Sequence, residues 1–431
     1  MDVGDQLAEV VRVEGARVLA ALVRSLGDWS LAEEAVQEAS VAALRDWAAH
    51  GVPAEPRAWL TTTARRKAID VIRRERARRG KERAATELVE LTRSSGTEDS
   101  VVDDDLLRLV FTCCHPSLAP EARLALALRT LCQLSVAQVA AAMLTTETAM
   151  ARRLTRTKHK ITIARIPYRV PADAELPERL PAVCGVVHAL YTAGHAPLGG
   201  EDLVDVDLCR EGVRLARLLV GLLPDEPAPA AVLALVVLTE ARRPARLAAD
   251  GTPVVLAEQD RSRWTADLID EGGRLLADSL RRTGGVADPY QLQAAIAWEH
   301  DRSPSYAATD WVEVRRLYDL LLSVAPSEPA TLARAVAVAE CDGPDAGLRA
   351  LAGLGPDART AGVRAELLVR AGRYADAVAA LDSVAVDPLT APERRYREER
   401  RAEWAGRAGP PATERARCRP AAPAPPPGPA G

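Results

Sequence analysis

The chain has 431 residues, enough for two or three domains, with 48% hydrophobic residues but only 3% aromatic ones, and an Ala- and Leu-rich composition of this kind favours helix over sheet. A net charge of −4 excludes a uniformly basic nucleic-acid binder, so charge has to be read segment by segment. No apolar run is long enough to cross a bilayer, "MDVGDQLAEVVRVEG" is no leader peptide, and seven cysteines without a secretion signal read as free thiols, which together predict a soluble cytoplasmic protein.

"LAEVVRVEGARVLAALVRSL" spaces its apolar residues at i, i+3, i+4 and i+7 and predicts a first helix. "GDWSLAEEAVQEASVAALRDW" predicts a second, capped by Asp28 or Ser30, with Glu33 and Glu34 in the first turns, where the helix dipole favours negative charge. "HGVPAEP" ends it. A third helix starts at Arg57, and from Arg57 to Arg83 there are eleven Lys or Arg against three acids, a net of +8. Such a helix is either a solvated charged face or a phosphate-contacting one; Trp59 and Ile69 on it read as core. From 84 to 121 the sign reverses, with eight acids against two arginines, and "TRSSGTEDSVVDDD" reads as a flexible linker.

A second compact helical unit follows, from about 104 to 165. Its first helix ends in "FTCCHP", and Pro120 starts the next. Zinc sites pair cysteines as C-x2-C and need four ligands, whereas Cys113 and Cys114 are adjacent and no matching pair follows nearby. Small buried cysteines are common, so the run reads as packing rather than as a metal or redox site. "LSVAQVAAAMLTTETAMARRLTRTKHKI" then predicts two short helices across a tight turn, Ser135 to Met143 and Thr146 to Ile161, with Ser135 and Thr145 or Thr146 as caps. Val136, Val139, Ala140, Met143, Met150 and Leu154 face one another, and Arg152, Arg153, Arg156, Lys158 and Lys160 stay outside. This is the spacing of a helix-turn-helix, whose second helix enters the DNA major groove. Two basic helices separated by an acidic linker suggest a protein that touches two DNA sites.

Beyond "RIPYRVPADAELPERLP", residues 180 to 390 form a long series of amphipathic helices. "GVRAELLVRAGRYADAVAALDSV" has the small-residue and aromatic spacing of a helical repeat, and "AVAVAECDGPDAGLRAL" is a weaker copy. The Arg-, Ala-, Pro- and Gly-rich end predicts disorder. His188 and His195 near Cys184 read as packing. Gln259, Asp260, Arg261, Arg263 and Trp264 form a dense polar cluster, which fits a buried ion-pair network as well as a partner surface. Without a Gly-rich phosphate loop, a G-x-S-x-G elbow, HExxH or paired zinc ligands, no catalytic residue, metal site or cofactor is predicted.

"LVRSLGDWSLAEEAVQEASVAALRDW", "PRAWLTTTARRKAIDVIRRERAR" and "LSVAQVAAAMLTTETAMARRLTRTKHKI", in that order, resemble the two domains of a bacterial extracytoplasmic-function (ECF) sigma factor of the sigma-70 family. "DLLRLVFTCCHPSLAPEARLALALR", "LTEARRPARLAADG", "LAEQDRSRWTADLIDEG" and "DPYQLQAAIAWEH" resemble the subgroup with a long C-terminal tetratricopeptide-like extension; "LYTAGH" departs from that subgroup's "IFNEGY" pattern at Thr192, Ala193 and His195. The resemblance implies an all-α chain: sigma region 2 at 1–85, a flexible acidic linker at 86–103, a region 4 helix-turn-helix at 104–166, a second linker at 167–180, a repeat-like helical domain at 181–390 and a mostly disordered tail at 391–431. It implies a non-enzymatic subunit whose partners are core RNA polymerase, at the β′ clamp helices and the β flap, and promoter DNA, without a membrane. Asp28, Glu33, Glu34, Gln37 and Glu38 would face polymerase. Arg65, Arg66, Lys67, Asp70, Arg73 and Arg74 would read the −10 element, and Glu147, Thr148, Arg152, Arg153, Arg156 and Lys158 the −35 element. An intramolecular contact of the C-terminal domain with the sigma domains would set activity. The competing reading is a helical-repeat scaffold or ligand-sensing regulator without sigma activity, which leaves the placement of the basic residues unexplained.

Overall fold

The computed structural model describes residues 3–79, 99–143, 145–197, 199–285, 287–385 and 389–408. Among these the chain is helical, without a strand beyond one isolated bridge between Leu247 and Pro253. It divides into two compact units: Met1–Leu198 with Val204–Arg243 and Trp264–Trp298, and Gly199–Leu203 with Pro244–Arg263 and Glu299–Gly431.

The first unit opens with α1 (Val3–Leu26), α2 (Trp29–His50) and α3 (Pro56–Arg79). Asp28 caps α2 by accepting from the Leu31 N–H at 3.0 Å, and Gly51, at φ +81°, closes it. Alanines repeat along the inner faces of α2 and α3 (Ala32, Ala35, Ala39, Ala43; Ala64, Ala68), so the helices approach closely around Leu19, Leu22 and Leu60. Trp47 is 1% exposed in this core and meets Trp59 edge-on at 5.5 Å.

α4 (Asp99–Cys113), α5 (Pro120–Thr130), α6 (Val136–Ala142) and α7 (Glu147–Ile163) follow. The acidic linker expected at 86–103 lies outside the described residues up to 98; its last five residues are helical, a correction to the reading as linker. The acidic density of this stretch in the sequence is what reads as linker. Ser135 and Gln138 form a capping box on α6: Ser135 Oγ accepts from the Gln138 N–H at 3.1 Å, and Gln138 Oε1 accepts from the Ser135 N–H at 2.8 Å. Thr146 caps α7, and Val139, Ala140, Met150 and Leu154 are buried between the two helices.

α8 (Leu176–His195), α9 (Val206–Leu222), α10 (Pro227–Ala241), α11 (Ala266–Arg282) and α12 (Pro289–Asp301) complete this unit, apart from the last turn of α12. α10 is apolar all round and buried from Pro229 to Leu238, as a central helix must be. Arg179 of α8 donates to Phe111 O at 2.8 Å, and Arg214 of α9 to Leu131 O at 2.9 Å. The start of the extension therefore belongs to the same compact unit as α4–α7, whereas the sequence placed a domain boundary at 181.

The second unit contains α13 (Trp311–Val324), α14 (Glu328–Asp342), α15 (Pro344–Ala350), α16 (Ala358–Arg370), α17 (Tyr374–Asp382) and α18 (Ala391–Ala408). The repeat-like segment forms α16 and α17, which turn at Gly372 with φ +74°. α18 corrects the expected disordered tail as far as Ala408; the remainder lies outside the described residues. Pro392, Tyr396, Arg400 and Trp404 recur every four residues on one face of α18, and Trp404 packs with Ala365, Leu368, Ala377 and Leu381. High charge hid a stripe that is only one residue wide.

Candidate functional site

The outward face of α2 carries Glu34, Gln37 and Glu38 in one exposed stripe, continued by Val41 and Leu44, which are 48% and 47% exposed. Carboxylates followed by bare aliphatic side chains suit a protein surface better than solvent. Asp28 is exposed at the head of the stripe, with one carboxylate oxygen used as the cap. Glu33 departs from the expectation. It points away from the stripe, receives a hydrogen bond from Lys158 of α7 and has Arg129 Nε at 3.9 Å.

α3 presents Arg66, Asp70, Arg73 and Arg74 to solvent. Arg73 pairs with Asp70 at 4.0 Å, and Arg74 donates to the Asp70 backbone at 3.2 Å. Lys67 reaches Glu38 at 3.7 Å and ties the basic helix to the acidic face of α2. Arg65 is half-buried; burial first, and then the charge of Arg24, lower its pKa. It thus serves packing more than its neighbours do.

On α7, Glu147, Thr148, Arg152 and Arg156 are exposed and Arg153 is half-buried. Arg153, Arg156 and Lys160 line an open depression of about 310 Å³ beside the N-terminal turn of α5, with Lys160 donating to Ser117 O at 2.5 Å. Lys158 is the departure: it was expected on DNA, but it is 19% exposed and held by Glu33. It lies on the inner side of α7, near the buried Thr157 and Leu154, where α2 closes over it.

The cysteine run is structural in its surroundings. Cys113, Cys114 and Cys132 are buried. Burial, followed by the neighbouring Cys114, pushes the Cys113 thiol well up; burial raises Cys114 and Cys132 to about 12. Among the described residues no three His, Cys, Asp or Glu side chains are grouped to hold a metal. His188 meets Tyr290 edge-on at 5.5 Å, and His195 stacks on Tyr191 at 5.4 Å. In the polar cluster, Arg261 donates to His300 O and Ser303 O at 2.6 and 2.8 Å, Gln259 to Val254 O at 3.1 Å and Arg263 to Leu247 O at 3.3 Å. These contacts anchor loops through backbone carbonyls.

Sequence reasoning missed Asp105 and Tyr168. Asp105 is 1% exposed, with Arg24 Nε at 3.0 Å and Arg108 Nη1 at 3.2 Å. The Tyr168 hydroxyl lies 2.9 Å from Ala20 O and 3.2 Å from Asp105 O, and burial raises its pKa. A lone aromatic in a segment read as linker, "RIPYRV", was the available signal.

The unit thus carries an acidic and apolar face on α2, a basic α3, and two capped helices, α6 and α7, across a tight turn. Sigma-70 region 2 matches residues 10–78, spanning α1 to α3. A family of unknown function, DUF6596, matches residues 179–280, from α8 into α11. An uncharacterized protein of Rhizobium meliloti (strain 1021) is 37% identical over 393 residues, covering 88% of this chain and 91% of that one. No solved structure matches. The chain belongs to one family with that relative, and the region 2 match supports a sigma-70 family sigma factor. Region 2 supports a sigma-factor-like role in binding core RNA polymerase and promoter DNA. Among the described residues no helix is long and apolar enough to cross a membrane.

Proposed function

We propose that the protein is a sigma factor of the ECF type that docks on the β′ clamp helices through α2 and reads the −10 element through α3 and the −35 element through α7. The observation that carries this reading is the pairing of the region 2 match at 10–78 with a second, separately capped helix-turn-helix whose exposed face holds Arg152 and Arg156. One DNA-contacting helix explains affinity; two explain a bipartite promoter. On this reading Glu34, Gln37, Glu38, Val41 and Leu44 face polymerase, Arg66, Lys67, Asp70, Arg73 and Arg74 meet the −10 element, and Glu147, Thr148, Arg152, Arg153 and Arg156 meet the −35 element. The helical extension regulates: Arg179 and Arg214 brace the backbone of the helix-turn-helix module at Phe111 and Leu131, and the α16–α17 pair supplies a repeat-like, tetratricopeptide-type surface. The protein acts in the cytoplasm and catalyses nothing itself.

Run-off transcription with purified core polymerase and a library of upstream DNA fragments tests this. Initiation from a shared two-part promoter is the expected result. Failure to bind core at all would overturn the reading and favour a helical scaffold.

A further inference from the structure

We propose that the α16–α17 hairpin holds a binding site for a small aliphatic carboxylate, gripped by Arg364 and seated in a cleft of about 100 Å³. The site lies outside the helices assigned to polymerase and DNA, so it stands or falls independently of the sigma-factor reading.

The argument begins with helical phase. On α16, Ala361, Arg364, Ala365 and Leu368 are spaced i, i+3, i+4 and i+7, the stripe that a helix turns towards its neighbour. Ala361, Ala365 and Leu368 are buried, and the last two pack with Ala377 and Leu381 of α17. Arg364 therefore takes a position that suits an apolar side chain, and it is half-buried there. Other arginines of the second unit have acids to hold. Arg315 reaches Asp342, Arg334 reaches Asp319, Arg370 reaches Glu340 and Arg401 reaches Asp382, all at 2.5–2.8 Å. Among the described residues Arg364 has no hydrogen-bond or ion-pair partner. A cation drawn partly out of water without an anion is costly, and a methionine or leucine would fill the stripe at less cost.

Arg364 lines the cleft. The apolar walls are Leu354 and Pro356 from the loop before α16, Ala361 from α16, and Ala380 and Val384 from the end of α17 and just beyond it. Thr360 and Ser383 also line it, but each hydroxyl already donates its proton: Thr360 to Asp357 Oδ2 at 2.6 Å, and Ser383 to Ala380 O at 2.8 Å. The side-chain donors left for a ligand are those of the guanidinium. One planar fork matches one carboxylate with two parallel hydrogen bonds. A phosphate brings more oxygens and more charge than a single fork satisfies. The volume is that of about three waters, enough for the carboxylate head and a stem of about two or three carbons, which the apolar walls would cover. A free short-chain acid carries this chemistry, and so does the C-terminus of a peptide ending in a small residue. An arginine that merely stretches its head group into water would bind neither.

Ligand-observed NMR on the full chain, at fixed ionic strength, tests this. The probes are butyrate and its neutral amide butyramide, acetyl-Ala-Ala with a free and with an amidated C-terminus, and inorganic phosphate. Saturable binding of butyrate is expected, with butyramide weaker by about tenfold or more, the effect of losing a charged hydrogen-bonded contact. Saturable binding of acetyl-Ala-Ala without butyrate would support the site and assign it to a peptide C-terminus. Arg364→Met keeps the stem and removes the fork; it is expected to abolish binding while the urea midpoint stays or rises. Arg364→Lys keeps the charge without the fork and is expected to bind about tenfold more weakly; it decides the matter if Arg364→Met fails to fold. The proposal is overturned if neither carboxylate binds saturably, if the Arg364 variants bind as the parent does, or if phosphate binds more tightly than both carboxylates.

Discussion

Gly212 and Gly221 lie on the same helix, α9, yet the same substitution is expected to move stability in opposite directions. A Cβ at Gly212 would stand 2.8 Å from Tyr191 Cβ, 2.9 Å from Tyr191 Cα and 3.2 Å from Leu190 Cδ2. Two of these atoms belong to the root of a residue on α8, so no side-chain rotation clears them. Tyr191 is 3% exposed, stacked on His195 and bonded to Glu240 at 3.2 Å. α8 and α9 must separate for Gly212→Ala to fit. Overpacking of this kind costs about 1–3 kcal/mol, and obstruction by backbone-proximal atoms belongs at the upper end. The gain in helix propensity returns about 1 kcal/mol, leaving a net loss of about 2 kcal/mol. At Gly221 a Cβ meets nothing within 4 Å, and the residue is exposed near the helix end. Gly221→Ala is therefore expected to stabilise by about 0.5 kcal/mol. Urea unfolding of the full-length variants, followed by circular dichroism with the slopes compared, measures both. A neutral or stabilising Gly212→Ala would refute the close α8–α9 crossing that positions Arg214 beneath Leu131.

Two further outcomes follow from the site. At pH 8 in the native protein, Cys113, Cys114 and Cys132 are expected to resist alkylation: burial raises their pKa values, to about 12 for the latter two, so the reactive thiolate is scarce as well as inaccessible. Peptide mapping should find Cys341 labelled before the other five described cysteines, faster as pH rises towards its own raised pKa, and rapid native labelling of Cys114 would refute the assignment to packing. Arg156→Ala should weaken promoter binding and reduce the slope of log affinity against log salt by about 1, the signature of one lost phosphate contact; an unchanged slope would remove Arg156 from the DNA interface.

Local structure was legible wherever its cause was local. Ser135 and Pro120 announced two helix starts outright, and Asp28 and Thr146 were each one of two candidate caps, because capping and proline preference act within a few residues. Gln138 closes the capping box where an acid is often found, since either side chain offers the required acceptor. The start of α4 and the whole of α18 were hidden because dense charge imitates disorder when the buried stripe is narrow. In the site, the exposed side chains of α2, α3 and α7 followed from helical phase, but the partners of Glu33 did not. Glu33 and Glu34 are chemically equivalent neighbours. What separates them is Lys158, 125 positions away, and no pattern inside α2 encodes that meeting.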